Sequence, residues 1–374
     1  MAINIHLSLP PHGLIVRDFI LTTLAHICRE ANANLEISPV GVDIYAESIN
    51  DLARAYAEIL GREQLPPRGL YPKGGTREIL GTDKFREHRE LVEKDPAKIL
   101  EVMESLKNVE WSGPAGNRVI YIGKTPNISA PLLFKVNYYS GKRAFLSSRY
   151  RDAKIKMDQN SLLFTCVGAA LSRMATLRSR VEKQRITIYV PVIEPGAIEL
   201  QKILADTLRE IEGRFSPDVI FKVLVGFRIR ISGILPLSII AISEGRQRPI
   251  LLSHQEVSIE EGISRFVKSL RDRSREMVAN LLMFTLRNWD TADKDQRAII
   301  RAGFELAQAI YLASTGAMKP ADVMFRLARS TYATTSDEFG KALREARRSP
   351  IRSLDAFMKM ILDVEEALDQ CLTL

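Results

Sequence analysis

The feature that most constrains this chain is a change of hydrophobic period. Up to about Ser253, runs that alternate every second residue are interleaved with runs of helical period. Beyond Ser253 no strand-like alternation survives. A chain built this way is neither an all-helical nor an all-β protein. The expected fold class is α+β: an N-terminal α/β domain with a mixed sheet over residues 1–253, followed by a helical bundle over residues 254–374.

The N-terminal half begins β-α-β-α. Ile3 to Leu9 alternates as a strand and ends at Pro10-Pro11, and a helix follows from Leu14 to Asn32. A strand near Leu35 to Tyr45 comes next, then a helix from Ile49 that stops at Gly61. Residues 61–76 form a loop whose end, Lys73-Gly74-Gly75-Thr76-Arg77, places glycines and a Thr cap before a predicted helix over 77–92. Lys73 and Arg77 there are candidate phosphate contacts. A short helix begins at Pro96, residues 111–117 read as a turn, and a strand spans Arg118 to Ile122. Gly123-Lys124-Thr125 resembles the end of a phosphate-binding loop but lacks the required upstream glycine, having Arg118 there, and is followed by Pro126 rather than a helix.

Charge singles out one segment. Between Lys135 and Arg185 there are twelve Lys/Arg against three Asp/Glu, a net of +9 in a chain whose total is +8. The segment opens with an aromatic strand (Leu132, Phe134, Val136, Tyr138) and a turn at Ser140-Gly141-Lys142-Arg143. A second strand then ends Ala153-Lys154-Ile155-Lys156-Met157. Alternation buries Ala153, Ile155 and Met157 and sends Lys154 and Lys156 to the other face. A hairpin around Gly141 would set Lys135, Asn137 and Tyr139 on the same face. Cations neutralise phosphates and release counterions, while a tyrosine ring stacks on a base. The pattern also suits a solvated sheet face, but so lopsided an excess favours a polyanion. The candidate nucleic-acid-binding residues are Lys135, Asn137, Tyr138, Tyr139, Lys142, Arg143, Arg149, Arg151, Lys154 and Lys156, with Lys73 and Arg77.

A helix apolar almost all round is expected from Gln159 to Arg180, with Gly168-Ala169-Ala170 permitting close approach of a neighbour, and with Arg178 and Arg180 at its C-terminal dipole. Strands follow at Ile186 to Ile193, Val219 to Ile231, Leu235 to Ile242 and Pro249 to Leu252, with a helix from Pro195 to Glu212 between the first two. In the last third, Ser258-Ile259-Glu260-Glu261 reads as a capping box. It opens a helix carrying Arg265, Lys268, Arg271, Arg273 and Arg275, a second, weaker basic surface. Further helix starts at Thr291, Pro320, Thr335 and Ser353 give about five helices.

Neither paired carboxylates, a nucleophile elbow nor a metal-ligand spacing is found, so no cofactor is expected and the chain reads as non-catalytic. Cys28, Cys166 and Cys371 sit in apolar helical contexts and are expected in the core. The start alternates like a strand instead of showing a signal peptide, and no apolar run reaches a membrane span, so a cytoplasmic protein is expected.

The α/β part with its basic aromatic strand region, the run Asn137-Tyr138-Tyr139-Ser140-Gly141-Lys142, the following helix with Leu171-Ser172-Arg173 and the C-terminal bundle resemble the large subunit of archaeal type I-A CRISPR Cascade effectors. The resemblance implies a non-catalytic subunit that binds target DNA, reads the short motif beside the target, and contacts crRNA and other effector-complex subunits. The alternative is a nuclease or RNA-modifying enzyme with a site assembled across the α/β domain.

Overall fold

The computed structural model describes residues 3–62, 82–112, 119–135, 154–178, 185–209, 235–244, 249–259, 261–288, 291, 293–314, 316–331, 336–346 and 348–372. The chain falls into two compact units. One comprises 1–174, 187–198 and 240–254, and the other 175–186, 199–239 and 255–374.

The first unit is organised by helix α1 (Ile15–Glu30), whose residues from Ile15 to Cys28 are all buried. A helix buried on every side carries polar side chains only where they find partners. Arg17 donates to the carbonyls of Pro10, Pro39 and Ser38, clamping the turn that separates β2 (Asn34–Ile37) from β3 (Gly41–Ala46). The single strand expected over 35–45 is therefore two strands of a hairpin, broken at Ser38-Pro39. The Thr22 hydroxyl donates to the Asp18 carbonyl and accepts from the Val192 amide, and the Thr23 hydroxyl donates to the Phe164 carbonyl. Asp18 faces His254 at 3.4 Å. With β1 (Ile3–Ser8), β2 and β3 form an antiparallel sheet in the order β1-β3-β2.

Helix α2 (Ile49–Leu60) ends at Gly61, as the sequence predicts, and is capped by the Ser48 hydroxyl. Helices α3 (Thr82–Lys94) and α4 (Lys98–Leu106) lead into β4 (Val109–Ser112) and β5 (Val119–Ile122), with Trp111 and Ser112 in a strand and not a turn. A mixed sheet follows in the order β4-β5-β7-β6, where β6 is Ile128–Ser129 and β7 is Lys154–Met157. Helix α5 (Gln159–Ser172) crosses α1 so closely that a Cβ on Gly168 would stand 1.8 Å from the Phe19 carbonyl oxygen. Gly168 thus permits the close approach that its size predicts.

Two expectations fail here for tertiary reasons. Residues 132–135 form a 3-10 turn, not an aromatic strand: Phe134 donates its amide to the Pro131 carbonyl and packs edge-on against Phe19, with ring centroids 5.7 Å apart. Consecutive burial of Leu133 and Phe134 is incompatible with alternation. Helix α5 ends at Ser172, whose carbonyl accepts from Val190, and the chain continues as β8 (Arg173–Arg178). Arg178 therefore ends a strand and does not complement a helix dipole, while Arg180 lies outside the described residues. Strands β8, β9 (Arg185–Tyr189), β10 (Leu235–Glu244) and β11 (Pro249–Ile259) form a sheet ordered β11-β10-β9-β8. Between β9 and β10 lies α6 (Ile198–Arg209), and the strand expected over 219–231 lies outside the described residues.

Strand β11 reaches Ile259, so strand structure persists past Ser253 and Ser258 lies in a strand. The helix begins at Glu261 (α7, Glu261–Ser269) and is separate from α8 (Asp272–Arg287). With α9 (Lys294–Ser314), α10 (Pro320–Thr331), α11 (Ser336–Glu345) and α12 (Leu354–Leu372), the described residues hold six helices here, against about five expected. The starts of α10, α11 and α12 follow the sequence closely, whereas α9 begins at Lys294 and not at Thr291. Asp293 caps α9 through the amides of Asp295 and Gln296, and Ser353 caps α12 through the Ala356 amide. Phe266, Leu281, Leu306, Phe339, Phe357 and Met360 are among the buried residues of this bundle's core.

Candidate nucleic-acid interface

Strand β7 behaves as its alternation predicts. Ile155 and Met157 are fully buried, Lys154 is exposed and Lys156 is half-buried. Its neighbours determine what surrounds the two lysines. β5 runs parallel to it, pairing Val119 with Lys154 and Tyr121 with Lys156, and β6 runs antiparallel, pairing Ser129 with Lys156. On the far side, β4 sets Glu110 opposite Tyr121 and Ser112 opposite Val119. Residues directly opposite share a face, so the outer face carries the row Glu110, Tyr121, Lys156, Ser129 and the row Ser112, Val119, Lys154. Ile120 and Ile122 of β5 are buried on the opposite face with Ile155 and Met157.

Among the described residues the aromatic neighbour of the lysines is thus Tyr121. The sequence reading pairs the lysine strand with the segment preceding it in the chain, whereas the described neighbours of β7 are β5 and β6; Tyr138 and Tyr139, expected beside the lysines, lie outside the described residues. The strand over 119–122 was legible, but a parallel pairing across an intervening connection leaves no local mark. Asn137, Tyr138, Tyr139, Lys142, Arg143, Arg149, Arg151 and Ala153 lie outside the described residues, as do Lys73 and Arg77. Lys135 ends the 3-10 turn and does not stand on a strand face.

The Gly123-Lys124-Thr125 turn closes on a carboxylate of its own chain. Asp158 accepts the Lys124 amide at 2.8 Å through Oδ2 and caps α5 by accepting the Ser161 amide at 2.8 Å through Oδ1. Gly123 has φ +116°, and a Cβ there would lie 2.3 Å from the Asp158 carboxylate. The glycine therefore admits the cap, and the helix N-terminus that would cradle a phosphate already holds an anion. The Lys124 ammonium pairs with Glu104 at 2.7 Å, a bond that raises the lysine's pKa and lowers the carboxyl's.

The second basic stretch is partly neutralised. Arg271 reaches Asp363 at 3.6 Å and Glu366 at 3.2 Å, and Arg275 pairs with Asp272. Lys268 and Arg273 are exposed.

All three cysteines are free and buried, and burial pushes the Cys28 thiol up to about 12 and raises those of Cys166 and Cys371. A thiol held protonated in an apolar core is a packing group, not a nucleophile. The Tyr56 hydroxyl and His88 Nε2 are buried without a hydrogen-bond partner, with the two rings 5.8 Å apart, and burial lowers the His88 pKa. Among the described residues no group of three or more His, Cys, Asp or Glu is arranged to hold a metal ion, and no helix is long and apolar enough to cross a membrane. No protein-family model matches the sequence, and no curated protein matches it.

Proposed function

We propose that this chain is a non-catalytic nucleic-acid-binding subunit that holds phosphates along its central basic segment. The observation that carries the reading is the outer face of β7. Lys154 and Lys156, which belong to the 135–185 segment that carries the chain's whole net positive charge, share that face with Tyr121. Lysine supplies a sequence-independent phosphate contact, and a half-exposed tyrosine beside it supplies a stacking surface. The resemblance to the large subunit of type I-A CRISPR effectors narrows the proposal to a ribonucleoprotein in which this face meets target DNA or crRNA.

Binding of duplex and single-stranded oligonucleotides across a salt series tests it. Lys154→Ala with Lys156→Ala is expected to weaken binding to all sequences alike and to reduce the slope of log K against log salt by about 0.9 per lost contact on duplex DNA. Tyr121→Leu is expected to cost ~1 kcal/mol on single strands and little on duplex. Unchanged affinity and slope in the double lysine variant would refute the reading. Divalent-metal-dependent cleavage that co-purifies with the chain would make it an enzyme.

A further inference from the structure

The three-stranded sheet of the first unit has an outer face of the opposite sign. Alternation turns Ile5, Leu7, Val42 and Ile44 into the core, with Leu35 and Ile37 partly buried beside them. The residues between them face outward in two registered rows across the strands: Asn4, Tyr45, Asn34 and His6, Asp43, Glu36. Asn4, His6, Asn34 and Glu36 are exposed, and Tyr45, on the central strand, is 41 % exposed. In a chain of net charge +8, these six positions hold two carboxylates and no lysine or arginine. His6 Nδ1 lies 2.9 Å from Asp43, and the Tyr45 hydroxyl points to Glu36 at 3.5 Å. The negative field is registered by the phenol itself, whose pKa is raised by Glu36 first, then by partial desolvation and Asp43.

An exposed ring with carboxylates one row away is the arrangement that receives a cation: the ring face attracts it and the carboxylates accept its N–H groups. We infer that this sheet face docks an extended arginine- or lysine-bearing segment of a protein partner, with a cationic side chain over Tyr45 and its donors on Glu36 and Asp43. Charge complementarity selects that occupant. A nucleic-acid strand would bring phosphates onto two carboxylates with no described cation on the face to offset them. With strands about 4.8 Å apart and rows about 7 Å apart, the face accommodates one or two partner side chains, so it forms part of a larger contact. This interface is independent of the proposed nucleic-acid face.

The test uses the full chain and a fluorescein-labelled twelve-residue peptide alternating arginine with threonine, read by anisotropy at low salt. A peptide with glutamate in place of arginine and a labelled single-stranded oligonucleotide serve as comparisons. Wild type is expected to bind the basic peptide and not the acidic one. Glu36→Gln with Asp43→Asn is expected to weaken basic-peptide binding at least about fivefold, and Tyr45→Leu about threefold. Tyr45→Phe, which keeps the ring, leaves it unchanged. Unaltered melting temperatures confirm that each variant is folded. The inference is overturned if the basic peptide binds all variants equally, if oligonucleotide affinity is what Tyr45→Leu loses, or if the carboxylate variants instead abolish self-association of the chain in sedimentation.

Discussion

Two sheet faces in the first unit follow one construction rule and end with opposite chemistry. In β7 the inward residues are Ile155 and Met157 and the outward ones Lys154 and Lys156; in β3 the inward residues are Val42 and Ile44 and the outward ones Asp43 and Tyr45. The inward sets are interchangeable in kind, and one continuous core buries both. Folding therefore dictates only that alternate positions be apolar. The outward positions are free to carry sign, and on the two readings proposed above that sign suits a polyanion at one face and a cation at the other.

The hardest way to break the comparison is to damage what both faces share. Gly168 sits where α5 meets the α1 backbone, and a methyl there meets the Phe19 carbonyl, which cannot rotate away. Gly168→Ala is expected to cost about 3 kcal/mol or more in denaturant unfolding, with oligonucleotide and peptide binding lost together. If stability holds and only one activity falls, the two faces do not rest on a common core.

A smaller, one-sided break is available at Asp158. Its carboxylate ties the turn after β5 to the start of α5, which follows directly on β7. Asp158→Ala is expected to cost about 1–2 kcal/mol, the usual worth of an N-cap, and to loosen the basic face while leaving the Tyr45 face unaltered. Hydrogen exchange at the amides of Lys124 and Ser161 reads the local effect directly.

Acid sharpens the comparison if the core's own titration is removed first. Burial lowers the His88 pKa, so the imidazole stays neutral in the folded chain while the unfolded chain takes up a proton below about pH 6.5. The unfolded state then binds more protons, and stability falls as pH drops from that point toward the lowered folded value. His88→Leu, which also removes the unpartnered Nε2, is expected to flatten this pH dependence. An equally steep acid loss in that variant would assign the titration elsewhere.

How far the sequence disclosed these arrangements depends on the range of the interaction responsible. Local rules sufficed for α2 with its Gly61 stop, for the starts of α10 and α12, for the burial of Cys28, Cys166 and Cys371, and for the two faces of β7. Long-range partners overruled local pattern elsewhere. Phe134 gave up a strand to reach Phe19, which is distant in sequence. Nothing in Leu171-Ser172-Arg173-Met174 marks the switch from α5 to β8, because its cause is the bond from Val190 to Ser172 and pairing with β9. Tyr121 escaped notice for the same reason: its neighbour Lys156 comes from a parallel strand beyond an intervening segment. The Tyr45 face required cross-strand register, which alternation within one strand cannot supply.

The smallest expected effect asks where the basic face stops. Lys124 follows β5, the strand paired with β7, and belongs to the turn that most resembles a phosphate loop. Its ammonium, however, is already paired with Glu104 at 2.7 Å. Counterions are released only where a cation neutralises a phosphate, and for this lysine that first requires breaking the existing ion pair. Lys124→Ala is therefore expected to change the salt slope of oligonucleotide binding by much less than Lys154→Ala, which removes an exposed cation. Its effect on stability is expected to stay within about 0.5 kcal/mol, as for surface ion pairs generally. Matched salt titrations of the two single variants decide the point. Equal slopes would mean that Lys124 leaves Glu104 for phosphate when nucleic acid binds, extending the basic face beyond the end of β5, whereas Glu104→Gln alone would then raise affinity by freeing the lysine.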